Sequence, residues 1–330
     1  MGKAGGNPLF VEEFTRNLLD IGAISRAGDT YVLTGKASEI EVPDTLQAVI
    51  AARVDRLEET LKRVLQVASV VGREFAFRVL RGILEAGEEL RRYLANLLGL
   101  EFIYEKALFP ELEYVFKHGV TQEVAYNSLL LQRRKELHLR TAEAIEKLYA
   151  EKLPEYLGLV AYHYHKAEAW EKAFQYLIAA GERARSIYAA REAIGYFGKA
   201  IEVSGHIPDV VGKEKLMRLH GSRGRVWQVL QEHENAASDL EKVVQLAEEL
   251  GDKKQETRAL LSLATSYGSG VGSALSLYEA QKVEECLNRA LKIIRETGDV
   301  VGEVRWLMQA GTVKGGEWGR FSGAMIESCV

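Results

Sequence analysis

"YLIAAGERARSIYAAREAIGYFGKA", residues 176–200, decides how the second half of this chain folds. Small residues stand at Gly181 and Ala193, 12 positions apart, and a large aromatic residue and another small one follow at Phe197 and Ala200. Two antiparallel helices approach closely only where small side chains cross, so this spacing is what a helix–turn–helix repeat requires.

The same interval returns downstream at Gly224 and Ala236, and again at Gly311 and Gly323. Ala264 and Val283 are 19 apart, as if seven residues had been inserted at "GSGVGSALSLYEA", residues 268–280. Leu240 with Val243 and Leu287 with Ala290 repeat the large-then-small pattern of Phe197 and Ala200. Residues 155–330 are therefore predicted to form an α-solenoid of helix pairs. The pattern resembles tetratricopeptide repeats, whose usual period of about 34 residues is stretched here by linkers such as "GHIPDVVGKEK", residues 205–215. The last pair stops inside its second helix at "GAMIESCV", residues 323–330. An uncapped stacking face of that kind predicts self-association, and a chain that is an internal piece of a larger protein.

Upstream, only five prolines occur, at 8, 43, 110, 154 and 208, each where the hydrophobic period breaks. In "GGNPLFVEE", residues 5–13, Asn7 suits the N-cap and Pro8 the first helical position. Phe10, Phe14, Leu18 and Ile21 supply an apolar stripe, with Glu12 and Glu13 near the positive end of the helix dipole. "ISRAGDTYVLTG", residues 24–35, reads as a small hairpin. Four helices follow, in "VPDTLQAVIAARVDRL" with Asp44 as cap, "EETLKRVLQVASVVG", "REFAFRVLRGIL" and "EELRRYLANLLGL". A two-stranded wing then sets Phe102 and Tyr104 against Leu112, Tyr114 and Phe116 across a turn holding Pro110. Short helices ending in a wing describe a winged helix over residues 41–120. A helical linker over 121–154 carries "QRRKELHLR", residues 132–140. The fold class is mainly α.

Composition narrows the function. Lys and Arg number 43 against 47 Asp and Glu, a net charge of −4, so no bulk basic field draws in nucleic acid or an anionic membrane. Two cysteines, Cys286 and Cys329, make neither a disulfide framework nor a metal cluster, which favours a reducing, cytoplasmic setting. No apolar run reaches the roughly 18 residues of a membrane helix.

Chemistry is sparse. "TGKAS", residues 34–38, lacks the upstream glycine and following Ser or Thr of a phosphate loop, and no acid-terminated apolar strand follows it. This chain alone is not expected to be an ATPase, and no catalytic residues are assigned. His163 and His165 in "YHYHK" are two apart on a helix, so they point in different directions and are expected to be packing or solvated histidines rather than metal ligands. The paired acids Glu58–Glu59 and Glu248–Glu249 read as solvated helix faces. The candidate recognition helix, 85–98, sets Glu85, Glu88 and Glu89 against Arg91 and Arg92, which argues against specific DNA binding.

Six segments taken in order carry a resemblance: "GNPLFVEE", "VPDTLQAVIAARVDRL", "LQVASVVGREF", "LEYVFKHGVTQEVAYNSLL", "RRKELHLRTAEAIE" and "AYHYHKAEAWEKAFQYLIAAGERA". Together they resemble a bacterial family of signal-transduction ATPases with numerous domains (STAND, AAA/ORC-like). In that family the ATPase often follows a class III adenylate/guanylate cyclase domain and ends in tetratricopeptide-like repeats. The resemblance implies an upstream nucleotide-binding domain holding ATP or ADP with magnesium, with residues 1–40 the end of its lid. It implies a winged helix that closes over ADP, and repeats that bind a protein partner. It also gives Gly6-Asn7-Pro8 a second reading, as the glycine-x-proline motif whose proline packs on the base; helix cap and nucleotide edge both stand for these residues. His118, in Phe116-Lys117-His118, matches the histidine that meets the β-phosphate, against the plainer reading of a satisfied histidine at a strand end. Gly119 stands where the family often has an aspartate. A stand-alone repeat scaffold or a winged-helix transcriptional regulator is the alternative.

Overall fold

The computed structural model describes residues 6–28, 30–34, 43–84, 87–108, 111–268 and 277–314. The chain divides into two compact units, Met1–Tyr156 with His163–Ala169, and Leu157–Tyr162 with Trp170–Val330.

The first unit begins with α1 (Pro8–Asp20), capped as expected: Asn7 Oδ1 accepts from the backbone N–H of Leu9 at 3.0 Å and of Phe10 at 3.4 Å. The hairpin follows as β1 (Ile24–Ala27) and β2 (Thr30–Leu33), with Ala27 opposite Thr30. In α2 (Leu46–Asp55) the cap is Thr45, whose hydroxyl accepts from Ala48 N–H, and not the neighbouring Asp44. Next comes α3 (Glu59–Val71), with Leu61, Val64, Leu65, Val67, Ala68 and Val70 all buried. Its broad apolar surface puts it at the centre of the unit.

"REFAFRVLRGIL" is not one helix. Glu74–Ala76 is a strand, β3, and only Phe77–Leu84 is helical, as α4. Phe75 alternates with exposed Glu74, a strand period too short to be seen from sequence. After α5 (Glu89–Gly99), strands β4 (Ile103–Ala107) and β5 (Glu113–Phe116) pair antiparallel, with Ile103 opposite Phe116 and Tyr104 opposite Val115. β3 joins them, pairing Phe75 with Tyr114, so the sheet order is β3-β5-β4. Helix, strand, two helices and a hairpin thus meet on one three-stranded antiparallel sheet. Pro110 and Glu85 lie outside the described residues.

Residues 121–154 are largely helical. They form α6 (Gly119–Asn127) and α7 (Leu131–Leu148), and α7 packs on α3 and α4 through Leu137, Ala142 and Ile145. α8 (Leu153–Lys166) follows.

The second unit stacks α9 (Trp170–Ser186), α10 (Ala190–Ser204), α11 (Pro208–Val229), α12 (His233–Leu250), α13 (Lys253–Gly268), α14 (Leu277–Thr297) and α15 (Val300–Lys314), each against its neighbours in sequence. It is an α-solenoid of helix pairs. Five of the turns between consecutive helices from α8 onward share one device that the sequence conceals, the turn before α11 being built differently. A residue with positive φ stands two places before the next helix at Glu168 (57°), Tyr188 (60°), Gln231 (60°), Gly251 (70°) and Gly298 (65°). Each time the following N–H bonds back five residues, as Ala189 does to Ala184 O at 2.9 Å and Asp252 to Ala247 O at 2.9 Å. These bonds close the helix ends and offset the roughly 1–2 kcal/mol that a side chain loses in the left-handed region.

The close crossings are where the small residues stand, with different first contacts from those expected. A Cβ on Gly181 would meet the Phe197 ring at 2.5 Å, one turn on from Ala193. One on Gly224 would meet Asp239 Cβ at 3.3 Å and then Leu240, again one turn past Ala236. Ala193, Ala236, Ala264 and Val283 are all buried, while Gly311 faces open space and Gly323 lies outside the described residues. Under the Gly224 crossing, buried Asp239 accepts from Arg223 at 2.7 and 2.8 Å and contacts His220 Nδ1 at 2.7 Å, tying α12 to α11.

Candidate functional site

α1 was expected to dock by an apolar stripe, but Ile21 is exposed and Phe14 and Leu18 only half-buried. The buried residues are Phe10, Glu13 and Asn17. Buried polar groups need partners, and α2 supplies them. Arg53 bonds Glu13, with side chains 3% and 2% exposed, and also Asp20 at 2.8 Å and the Leu100 carbonyl at 3.0 Å. Its guanidinium lies 4.7 Å from the Phe102 ring centre. Arg56 donates to Asn17 Oδ1. The sequence signal was Arg53 itself, a cation set among Val49, Ile50 and Val54 in a buried stripe.

A second layer of charge joins α1 to the end of β5. Lys117, just beyond β5, bonds Glu12 and, at 3.0 Å, Glu101; Arg16 bonds both of those carboxylates from the other side. Four alternating charges thus bridge residues about 100 apart in sequence. The Arg16 and Lys117 hydrogen bonds hold the Glu101 carboxyl down at about 2, and Lys117 with Arg16 lowers Glu12 as well.

His118 continues from Lys117 and occupies the N-cap position of α6 with extended backbone. Its Nε2 stands 3.6 Å from Glu13 Oε1, beyond hydrogen-bond length, and is buried with no hydrogen-bond partner. Burial lowers the imidazole pKa from its usual value, which favours the neutral ring.

The nucleotide-motif residues divide between the start of α1 and the N-cap of α6. Gly6, Asn7 and Pro8 are exposed at the start of α1, and Gly6 has φ 79°, which only glycine adopts readily. Glu13, which faces His118, is five residues beyond Pro8, about 7.5 Å along the axis.

A further buried polar cluster was not read from sequence. His163 is fully buried, and its Nδ1 lies 2.9 Å from Nδ1 of His138 on α7, whose Nε2 is 3.0 Å from the Tyr126 hydroxyl. Burial pushes His138 down to about 4 and His163 to about 3. Two facing imidazoles are a structural pair, and no group of three or more metal-ligating side chains occurs among the described residues. No helix among them is long and apolar enough to cross a membrane.

No protein-family model matches the chain. It is 27% identical, over 218 residues, to an uncharacterized protein of Rhizobium meliloti (strain 1021), covering 66% of this chain and 21% of that protein. The chain therefore spans about a fifth of the length of the curated relative it matches. Among solved structures it is similar to a Signal Transduction ATPase with Numerous Domains protein with a tetratricopeptide repeat sensor from Pyrococcus horikoshii. That match has 14% identity and a TM-score of 0.33, over 94% of this chain and 53% of that one. It is also similar to BtubC (BKLC) from P. vanneervenii, with 14% identity and a TM-score of 0.32, over 73% of this chain and 94% of that one. Scores this low carry no argument about fold or function, which rest on the residues described above.

Proposed function

We propose that the chain is the regulatory part of a longer signal-transduction ATPase with numerous domains, in which bound nucleotide sets whether the helical repeats engage a protein partner. The observation that carries this reading is His118 at the end of the wing, held 3.6 Å from Glu13 of α1 with its Nε2 unbonded. The resemblance assigns Pro8 to the base and His118 to the β-phosphate, and α1 is the element that links them. The neutral imidazole has an N–H to donate to a phosphate oxygen, making ADP a ligand with different affinity for the docked and undocked arrangements.

On this reading the chain by itself turns over no nucleotide. The ATP or ADP and its magnesium belong to an upstream domain, and a class III cyclase is among the outputs such a protein would control. The setting is cytoplasmic, in keeping with the two cysteines. Photolabelling of the longer protein with 2-azido-ADP tests the placement. Adduct on the peptide containing Pro8 is expected; adduct confined to the upstream domain overturns it.

A further inference from the structure

The second unit contains a groove of about 500 Å³ whose wall includes three cations of α11, Lys215, Arg218 and Arg225, over a floor that includes Leu219 and Phe197. Glu182 of α9 also lines it, but that carboxylate is already engaged by Arg185 and the Ser222 hydroxyl. The cations are less satisfied. Among the described residues Lys215 reaches only the Val210 carbonyl, at 3.2 Å, and Arg225 only Ser222 Oγ, at 3.4 Å. Arg218 pairs with Glu214, but both side chains are mostly exposed, at 73% and 64%, so that pair holds Arg218 weakly. In a chain of net charge −4 this is a local positive stripe.

We infer that this groove binds an acidic peptide segment of a partner protein. The inference deepens the partner-binding half of the function proposed above and rests on it. Arg218 and Arg225 are seven residues apart, about 10 Å along the helix. A peptide in the polyproline II conformation has three residues per turn and rises about 3.1 Å per residue, so carboxylates three residues apart lie on one face about 9 Å from each other and would meet both guanidinium groups, while an apolar side chain between them, turned by a third of a revolution, faces the floor. Charge of this kind sets partner choice and speeds encounter.

The test uses the 330-residue chain and two fluorescein-labelled synthetic peptides, four repeats of Glu-Glu-Leu and four of Lys-Lys-Leu, read by anisotropy at low salt. The acidic peptide should bind and the basic one should not. Lys215→Glu with Arg225→Glu should weaken the acidic peptide at least tenfold and create binding of the basic one, with helicity by circular dichroism unchanged. Lys242→Glu on α12, outside the groove, should alter neither. Absence of binding by the acidic peptide, equal binding of both peptides, or double-variant affinities equal to the wild type would overturn the inference. None of these outcomes involves nucleotide, so they are distinct from failure of the ADP reading.

Discussion

Arg53 and Glu13 form an ion pair with side chains only 3% and 2% exposed, and it fixes α1 to α2 across 40 residues of sequence. A buried pair of this sort is weak evidence for net stability, yet removing one partner leaves an uncompensated charge.

Glu13→Ala should therefore destabilise the first unit by about 3 kcal/mol, near the lower end of the usual 3–5 range. The reason is that Arg53 keeps Asp20 and the Leu100 carbonyl. Glu13→Leu combined with Arg53→Met should recover most of that loss. Urea midpoints of the two variants decide the matter; a single variant as stable as wild type would show that the pair does not anchor α1.

The His138 and His163 imidazoles predict a loss of stability in mild acid. Both folded-state values are depressed by burial, to about 4 and about 3, so below pH 6.5 the unfolded chain binds protons that the folded one refuses. Stability is full above about pH 6.5. It should fall as pH drops toward 4, with a slope of up to about 1.4 kcal/mol per pH unit for each imidazole. Glu101 acts lower: its contribution is present above about pH 4.5 and lost as pH falls toward 2. Urea unfolding at half-unit steps from pH 7 to 4 would check this, and a flat profile would contradict it.

Two glycines on adjacent helices give opposite predictions. Gly181→Ala places a Cβ 2.5 Å from the buried Phe197 ring and should cost about 1–3 kcal/mol by overpacking. Gly195→Ala, exposed on α10 with nothing within 4 Å, should instead stabilise by about 0.5–1 kcal/mol through helix propensity. Thermal melts of the two variants should move in opposite directions.

How much of this was legible in the sequence follows from how local each signal is. The solenoid was readable because Gly181, Gly224 and the buried alanines recur at an interval that only helix crossings explain. The first contacts were one turn off, since spacing identifies the face of a helix and not which side chain on the partner reaches it first. The turns at Glu168, Tyr188 and Gln231 were invisible, because left-handed positions filled by side chains carry no glycine to mark them. β3 was lost because three residues are too few for a period. Asn7, Pro8 and His118 were singled out through the resemblance, whereas the ion network around α1 and Lys117 was not. Glu12, Glu13 and Glu101 look like ordinary surface acids until the fold brings Lys117, Arg16 and Arg53 to them.

In the ADP site proposed above, α1 and the segment following β5 form one face, with His118 donating to phosphate. The most direct measurement is the ADP retained by the full-length parent protein on purification, wild type against His118→Ala. Loss of one hydrogen bond to a charged group, about 1.5–3 kcal/mol, should weaken ADP roughly ten- to a hundredfold and leave the variant largely nucleotide-free. A variant that keeps its ADP as tightly as the wild type would contradict the claim and leave Asn7 and Pro8 as a well-made helix start.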